Sequence, residues 1–170
     1  MTEPTVRPAG PDDADGMAHV HVQGWHEAYT GRIPQQILDG LDVQERASMW
    51  RGILAGEFPD HESTIAVAEA EGRIVGFASS RRSIDEDAVA GRRQLYSIYL
   101  LADYYGSGAG QRLLDAVIGT AAASLWVLDD NPRAWAFYTR NGFVPDGVTK
   151  IDDRWGAPIT DARLVRGPRA

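Results

Sequence analysis

Gly106, Gly108 and Gly110 alternate with Ser107 and Ala109 directly before the apolar run of Leu113, Leu114, Val117, Ile118 and Ala121. Glycine has no Cβ to hold a ligand away from the main chain, and it adopts angles that aim successive N–H groups at one point. The first N–H groups of a helix have no internal partner, and with the helix dipole they favour an anion. Gly106 to Gly110 therefore suit a phosphate or diphosphate held without any cationic side chain. A plain strand-to-helix turn uses the same residues, so the cluster alone leaves both readings open. Spacing removes two alternatives. A Walker loop ends in Gly-Lys-Ser/Thr, and here Gly110 is followed by Gln111 and Arg112. A G-x-G-x-x-G fingerprint begun at Gly106 or Gly108 would end on Gln111 or Leu113. Asp129 imitates the ribose-binding acid of that fold, yet "LADY" separates the preceding strand from the glycines and no second parallel unit follows.

Other reactive types are sparse. Cysteine is absent, which removes disulfides, thiolate zinc sites and cysteine nucleophiles. His19 and His21, two positions apart, do not share a helix face and have no third ligand, so no metal is expected.

Several elements must position the glycine stretch. "TVRPAG" reads as a short strand, and Asp12 and Asp15 mark the start of a helix from about Asp13 to Tyr29 that buries Met17, Val20 or His21, Trp25 and Ala28. "TGRIP" breaks the pattern. Asp42 and Glu45 then have capping-box spacing, with Val43, Ala47, Trp50 and Leu54 as the buried stripe. "AGEFPDHES" is a loop. "STIAVAEA", "EGR" and "IVGFASS" form a hairpin, and "QLYSIYLL" is a strand rich in β-branched and aromatic residues. The Arg81–Arg82 and Arg92–Arg93 pairs bracket an acidic loop and read as solvated local ion pairs. "SLWVL" is a buried strand. Asn131 is an N-cap, Pro132 the first helical residue and Gly142 the stop, and the tail closes as two strands around a Gly-Ala-Pro turn. The order predicts an α+β fold: a mixed, mostly antiparallel sheet with one parallel strand–helix–strand unit and flanking helices.

The 170 residues fit one domain spanning 1–170, and 44% hydrophobic with 24% charged residues is a globular balance. A net charge of −7 argues against a nucleic-acid partner. Sixteen arginines stand beside one lysine, Lys150. No run is long and apolar enough for a membrane span, and the opening "MTEPTVRPAGPDD" has no basic start followed by an apolar stretch, so no membrane partner and a cytoplasmic location are expected.

"IYLLADYYGSGAGQRLL" followed by "LWVLDDNPRAWAFYTRNGF" resembles the GNAT superfamily of acetyl-CoA-dependent N-acyltransferases, in a small single-domain branch. The family pattern is a strand, the loop Q/R-x-x-G-x-G/A, a helix, a parallel strand, then Asn and F-Y-x-x-x-G-F. Here the loop is Tyr105 to Gly110 and the later element Phe137 to Phe143, and the match covers Gln94 to Val144. Tyr105 departs from the usual Gln or Arg. The resemblance implies acetyl-CoA as co-substrate, with no metal. Ile98, Tyr99 and Leu100 border the pantetheine arm through main-chain groups, Tyr105, Gly106, Ser107, Gly108, Ala109 and Gly110 hold the diphosphate, and Asn131 hydrogen-bonds the cofactor. It places Tyr138 near the sulfur, where a phenol, protonated at neutral pH, donates to the departing thiolate.

Some members use a Glu on the central strand as base, and by register that position is Gln94, which takes no proton. His26, Glu27, Tyr96, Asp129 and water are the candidates left. Trp25, Tyr29, Gln94 and Tyr96 are candidate walls of an acceptor site. The activity implied is N-acetyl transfer to an amine, on a small molecule foremost, with a protein N-terminus or lysine and a non-catalytic acyl-CoA sensor as alternatives. A homodimer is common in the family.

Overall fold

The computed structural model describes residues 3–58, 62–153 and 158–170. Among them, Thr5–Pro8 (β1), Thr64–Ala70 (β2), Arg73–Arg82 (β3), Arg93–Leu100 (β4), Ala123–Leu128 (β5), Val144–Asp152 (β6) and Ile159–Arg166 (β7) form one sheet in the order β1-β2-β3-β4-β5-β7-β6. Every neighbouring pair is antiparallel except β4 and β5. Ala14–Tyr29 (α1) and Val43–Leu54 (α3) cover one face, where Met17, Val20, Trp50 and Phe77 are buried. Ala109–Ile118 (α4) covers the other, over Leu113, Leu114, Leu125 and Leu164. This is the mixed α+β architecture that the element order predicts.

Local chemistry explains most boundaries. Asp13 accepts from Gly10 N at 2.7 Å and from both Arg7 terminal nitrogens at 2.8 Å, which ties the start of α1 to β1. Asp42 caps α3 by accepting from Glu45 N at 2.8 Å. Asn131 Oδ1 accepts from Ala134 N at 3.3 Å and starts Pro132–Arg140 (α5). Gly142, with φ +80°, stops it.

Three expectations change. A short helix, Gln35–Asp39 (α2), lies between "TGRIP" and α3. Ala121, grouped by sequence with the apolar run from Leu113 to Ile118, lies beyond the end of α4, because the chain turns at Gly119. Asp87 of the acidic loop, read as paired to its flanking arginines, instead binds the buried Arg163 of β7 in a fork of two 2.6 Å bonds. Burying a guanidinium demands well-aligned acceptors, and a carboxylate arriving from across the sheet supplies them. Gly156 and Ala157 of the expected Gly-Ala-Pro turn, and residues 59–61 of the "AGEFPDHES" loop, lie outside the described residues.

One irregularity matters for the site. β4 pairs with β5 only from Arg93↔Ala123 to Leu95↔Leu125. On the other side, Ser80 pairs with Leu95 and Ser79 with Ser97, so Tyr96 is an extra residue, a β-bulge. Beyond it β4 keeps β3 and loses β5. The sheet opens there.

Candidate functional site

A bulge inverts which residues of a strand face which neighbour. Arg93 N reaches the β5 side, donating to Ala122 O, whereas Leu101 N, past the bulge, donates to Val75 O on the β3 side. Alternation then directs the main-chain groups of Ile98 and Leu100 into the opening, and those of Tyr99 to β3. Of the three residues expected to offer main-chain groups, two are placed to do so. Tyr99 contributes its side chain, whose hydroxyl accepts from Trp25 Nε1 at 2.9 Å.

The opening holds a cavity of about 470 Å³, lined by Ile98, Tyr99, Leu100, Tyr105, Gly106, Gly108, Gly110, Asn131 and Tyr138. These residues come from β4, the glycine loop and α5, and the fold brings all of them together. Gly106 and Gly108 have φ of +80° and +79°, angles that L side chains rarely adopt. They turn the chain so that α4 begins facing the cavity. A Cβ added at Gly106 would meet no atom within 4 Å, so the loop is bare on that side. The remaining two loop residues serve the turn: Ala109 is fully buried, and its N–H donates to Ser107 Oγ at 3.3 Å. A loop of this shape at a helix start fits a diphosphate.

Two cations at this end are not evident from sequence. Arg133 and Arg140 of α5 also line the cavity, and the Arg133 guanidinium lies 3.6 Å from the Tyr105 ring centre. The partner residues sit 28 positions apart, so no local pattern signals the stack.

A second cavity of about 240 Å³ lies where β4, β5, β6 and β7 meet α1, and Tyr29 and Trp126 line both. Trp25, Tyr29, Gln94 and Tyr96, the four candidate acceptor residues, all line it. Gly24 lets α1 come this close, since a Cβ there would be 3.2 Å from Tyr99. Tyr96 points in from the bulge. Gln94 is buried, and among the described residues its Oε1 has no hydrogen-bond partner. Trp126, Lys150, Asp152 and Asp161 also line it, and Ile33, Ile37, Leu95, Leu128 and Ile159 make its aliphatic part. Trp126 Nε1 donates to Asp85 Oδ1 at 3.3 Å, which fixes the indole.

Titration behaviour follows burial. Burial raises the Tyr138 phenol well above the usual tyrosine range, with Tyr29 adding to it, so Tyr138 is protonated at neutral pH. Tyr29 and Tyr99 are raised for the same leading reason. Asp161 is raised by burial; Lys150 opposes the shift and Asp152 adds to it. Among the candidates for taking a proton, Tyr96 lines the smaller cavity, whereas His26, Glu27 and Asp129 line neither. Glu27 accepts from Ala102 N at 2.9 Å, a structural duty.

Comparison with known proteins is consistent with this geometry. The Acetyltransferase (GNAT) family model matches residues 23–143. A protein of Mycobacterium tuberculosis named as an uncharacterised N-acetyltransferase is 32% identical over 143 residues, 80% of this chain and 86% of that one. Among solved structures, the PaiA N-acetyltransferase of Thermoplasma acidophilum in complex with coenzyme A superposes with a TM-score of 0.68 at 18% identity, covering 98% of this chain and 99% of that one. The ribosomal-protein-alanine N-acetyltransferase of Brucella melitensis gives 0.70 at 18% identity, covering 95% and 98%.

Proposed function

The chain belongs to the GNAT acetyltransferase family, and from that premise we propose that it is one cytoplasmic domain moving an acetyl group from acetyl-CoA to the amine of a small molecule. The observation that carries the reading is the meeting of two cavities at Tyr29 and Trp126, one lined by the glycine loop and the opened strand, the other by aromatic and acidic side chains. Both substrates can then be held at once, so the amine attacks the thioester directly.

In this reading the glycine loop binds the diphosphate through main-chain N–H groups, and Arg133, stacked on Tyr105, adds positive charge. Tyr105 thus restores by stacking the cation that an arginine at its own position would bring. Asn131 keeps its amide nitrogen for the cofactor while its oxygen caps α5. The main chain of Ile98 and Leu100 borders the pantetheine arm, and an N–H of that stretch polarises the thioester carbonyl. A neutral amine attacks that carbon, the C–N bond forms, and collapse of the tetrahedral species breaks the C–S bond. Tyr138, protonated, donates to the departing sulfur and takes a proton back from solvent once the thiol leaves, and the proton lost by the amine leaves through the smaller cavity. Because a thiolate leaves readily, holding the two substrates together supplies more of the rate than this proton does.

The smaller cavity, at about 240 Å³, favours a small acceptor over a protein lysine. A thiol-release assay with acetyl-CoA and a panel of small amines is the test. Turnover with at least one small amine is expected. Coenzyme A binding without turnover on any amine would make the chain an acyl-CoA sensor, and turnover on peptides alone would move the acceptor to proteins.

A further inference from the structure

The smaller cavity already contains a cation. Lys150, the single lysine, reaches in from the edge strand β6, and its Nζ lies 4.5 Å from the centre of the Trp126 ring and 3.8 Å from Asp161 Oδ2. An ammonium over an indole face beside a carboxylate is attracted by both. Yet the pairing is loose: 3.8 Å exceeds hydrogen-bond length, and the Lys150 side chain is 49% exposed. Asp161 meanwhile faces Asp152 and Tyr29 as well as Lys150, and burial, with Asp152 adding, outweighs Lys150 and keeps its carboxyl above the usual range, so the loose pair does not offset what the carboxylate loses by leaving water. A second observation points to a missing donor. Among the described residues Gln94 Oε1, buried at the same wall, has no partner, and native structures seldom leave such an oxygen without a water or another donor.

Building on the acetyl-transfer reading, we propose that the acceptor is a cationic primary amine with a flat or apolar body, and that its ammonium takes the place Lys150 Nζ holds, between the Trp126 ring and the Asp161 carboxylate, leaving Gln94 Oε1 for a donor on the acceptor's body. Lys150 is an internal occupant that the substrate displaces. It can leave readily, because its stem lies on an exposed edge strand and, among the described residues, its head gives up no close hydrogen bond. Trp25, Tyr29 and Tyr96 then flank the body of the acceptor. Asp161 is where the ammonium proton goes before attack.

This arrangement makes an unusual demand: removing the two members of one ion pair must have opposite effects. The experiment is calorimetry on the full chain saturated with coenzyme A, titrated at neutral pH with benzylamine, benzyl alcohol and benzoate. Benzylamine should bind roughly tenfold or more tightly than the other two. Asp161→Asn should weaken benzylamine about tenfold, whereas Lys150→Met should strengthen it about threefold. If both substitutions weaken it, the pair is a structural strut and the proposal fails. Benzylamine no tighter than the alcohol, or benzoate bound and then lost in Lys150→Met, overturns it as well. Lys150→Met alone decides the sign should Asp161→Asn not fold. A chain that takes up no coenzyme A refutes the acetyl-transfer reading instead, and the same amine titration without it still decides the cation site.

Discussion

The two cavities of this molecule are made differently. The larger is walled at one end by the glycine loop, through Tyr105, Gly106, Gly108 and Gly110; the smaller is walled by side chains from β4, β5, β6, β7, α1 and α2. A main-chain site depends on backbone angles, which a few neighbouring residues set, and tolerates different side chains. A side-chain site depends on the register of strands that are far apart in sequence. The first kind can be shared across a family, while the second can change with every acceptor.

That contrast predicts unequal responses to substitution. Gly108→Val forces a β-branched residue to a φ of +79° and should weaken coenzyme A roughly 100-fold, about 2.8 kcal/mol by titration calorimetry. Amine binding to the second cavity should not change; equal loss of both would erase the distinction.

Acid should act on the opposite side. His21 is buried among Trp25, Trp50, Phe77 and Tyr99, and its Nδ1 accepts from Trp50 Nε1 at 3.3 Å. Burial, with Arg46 adding, pushes its imidazole from 6.5 down to about 4. The unfolded chain therefore takes up the proton first, and stability falls as pH drops from about 6.5 toward 4, by up to about 2–3 kcal/mol, then levels. Asp13, held low by Arg7, adds a loss only at more acidic pH. Urea midpoints between pH 7 and 4.5 should show this slope, and His21→Asn should flatten it. An unchanged slope in that variant would locate the acid response elsewhere.

Tyr138→Phe should lower kcat about tenfold, near 1.4 kcal/mol, with coenzyme A affinity within about twofold, since the hydroxyl acts on the leaving sulfur and not on binding. A fall in affinity with kcat intact would make Tyr138 a wall residue. Smallest of all, Arg133→Ala should weaken coenzyme A about fivefold through loss of the stacked cation, an effect that high salt should diminish. No change would leave the main chain as the whole of the grip.

Legibility in the sequence follows the same division. Asp42, Asn131 with Pro132, and Gly142 announce helix ends because each acts on backbone groups within four residues of itself. The alternating glycines are visible for the same reason. Gln94 and Tyr96 are also readable as acceptor-site candidates, through strand register. Arg133 is not, because its stacking partner lies on another element. Asp161 and Lys150 are not, because each looks like any polar position on a strand, and their pairing depends on how β7 and β6 align. The acidic loop misleads for a related reason: Asp87 has arginines nearby in sequence, but the buried Arg163 competes better, having no water to fall back on.

By itself the order of residues determined the kinds of elements, their caps, the bare loop and the family, since these rest on interactions between near neighbours. Only the folded sheet decided that β4 bulges at Tyr96 and parts from β5, that Ile98 and Leu100 face the gap, and that Trp126, Lys150 and Asp161 line one cavity with Gln94. Those outcomes depend on strand register and packing across as many as 67 positions, Gln94 to Asp161, and distances of that kind exist only once the chain has closed on itself.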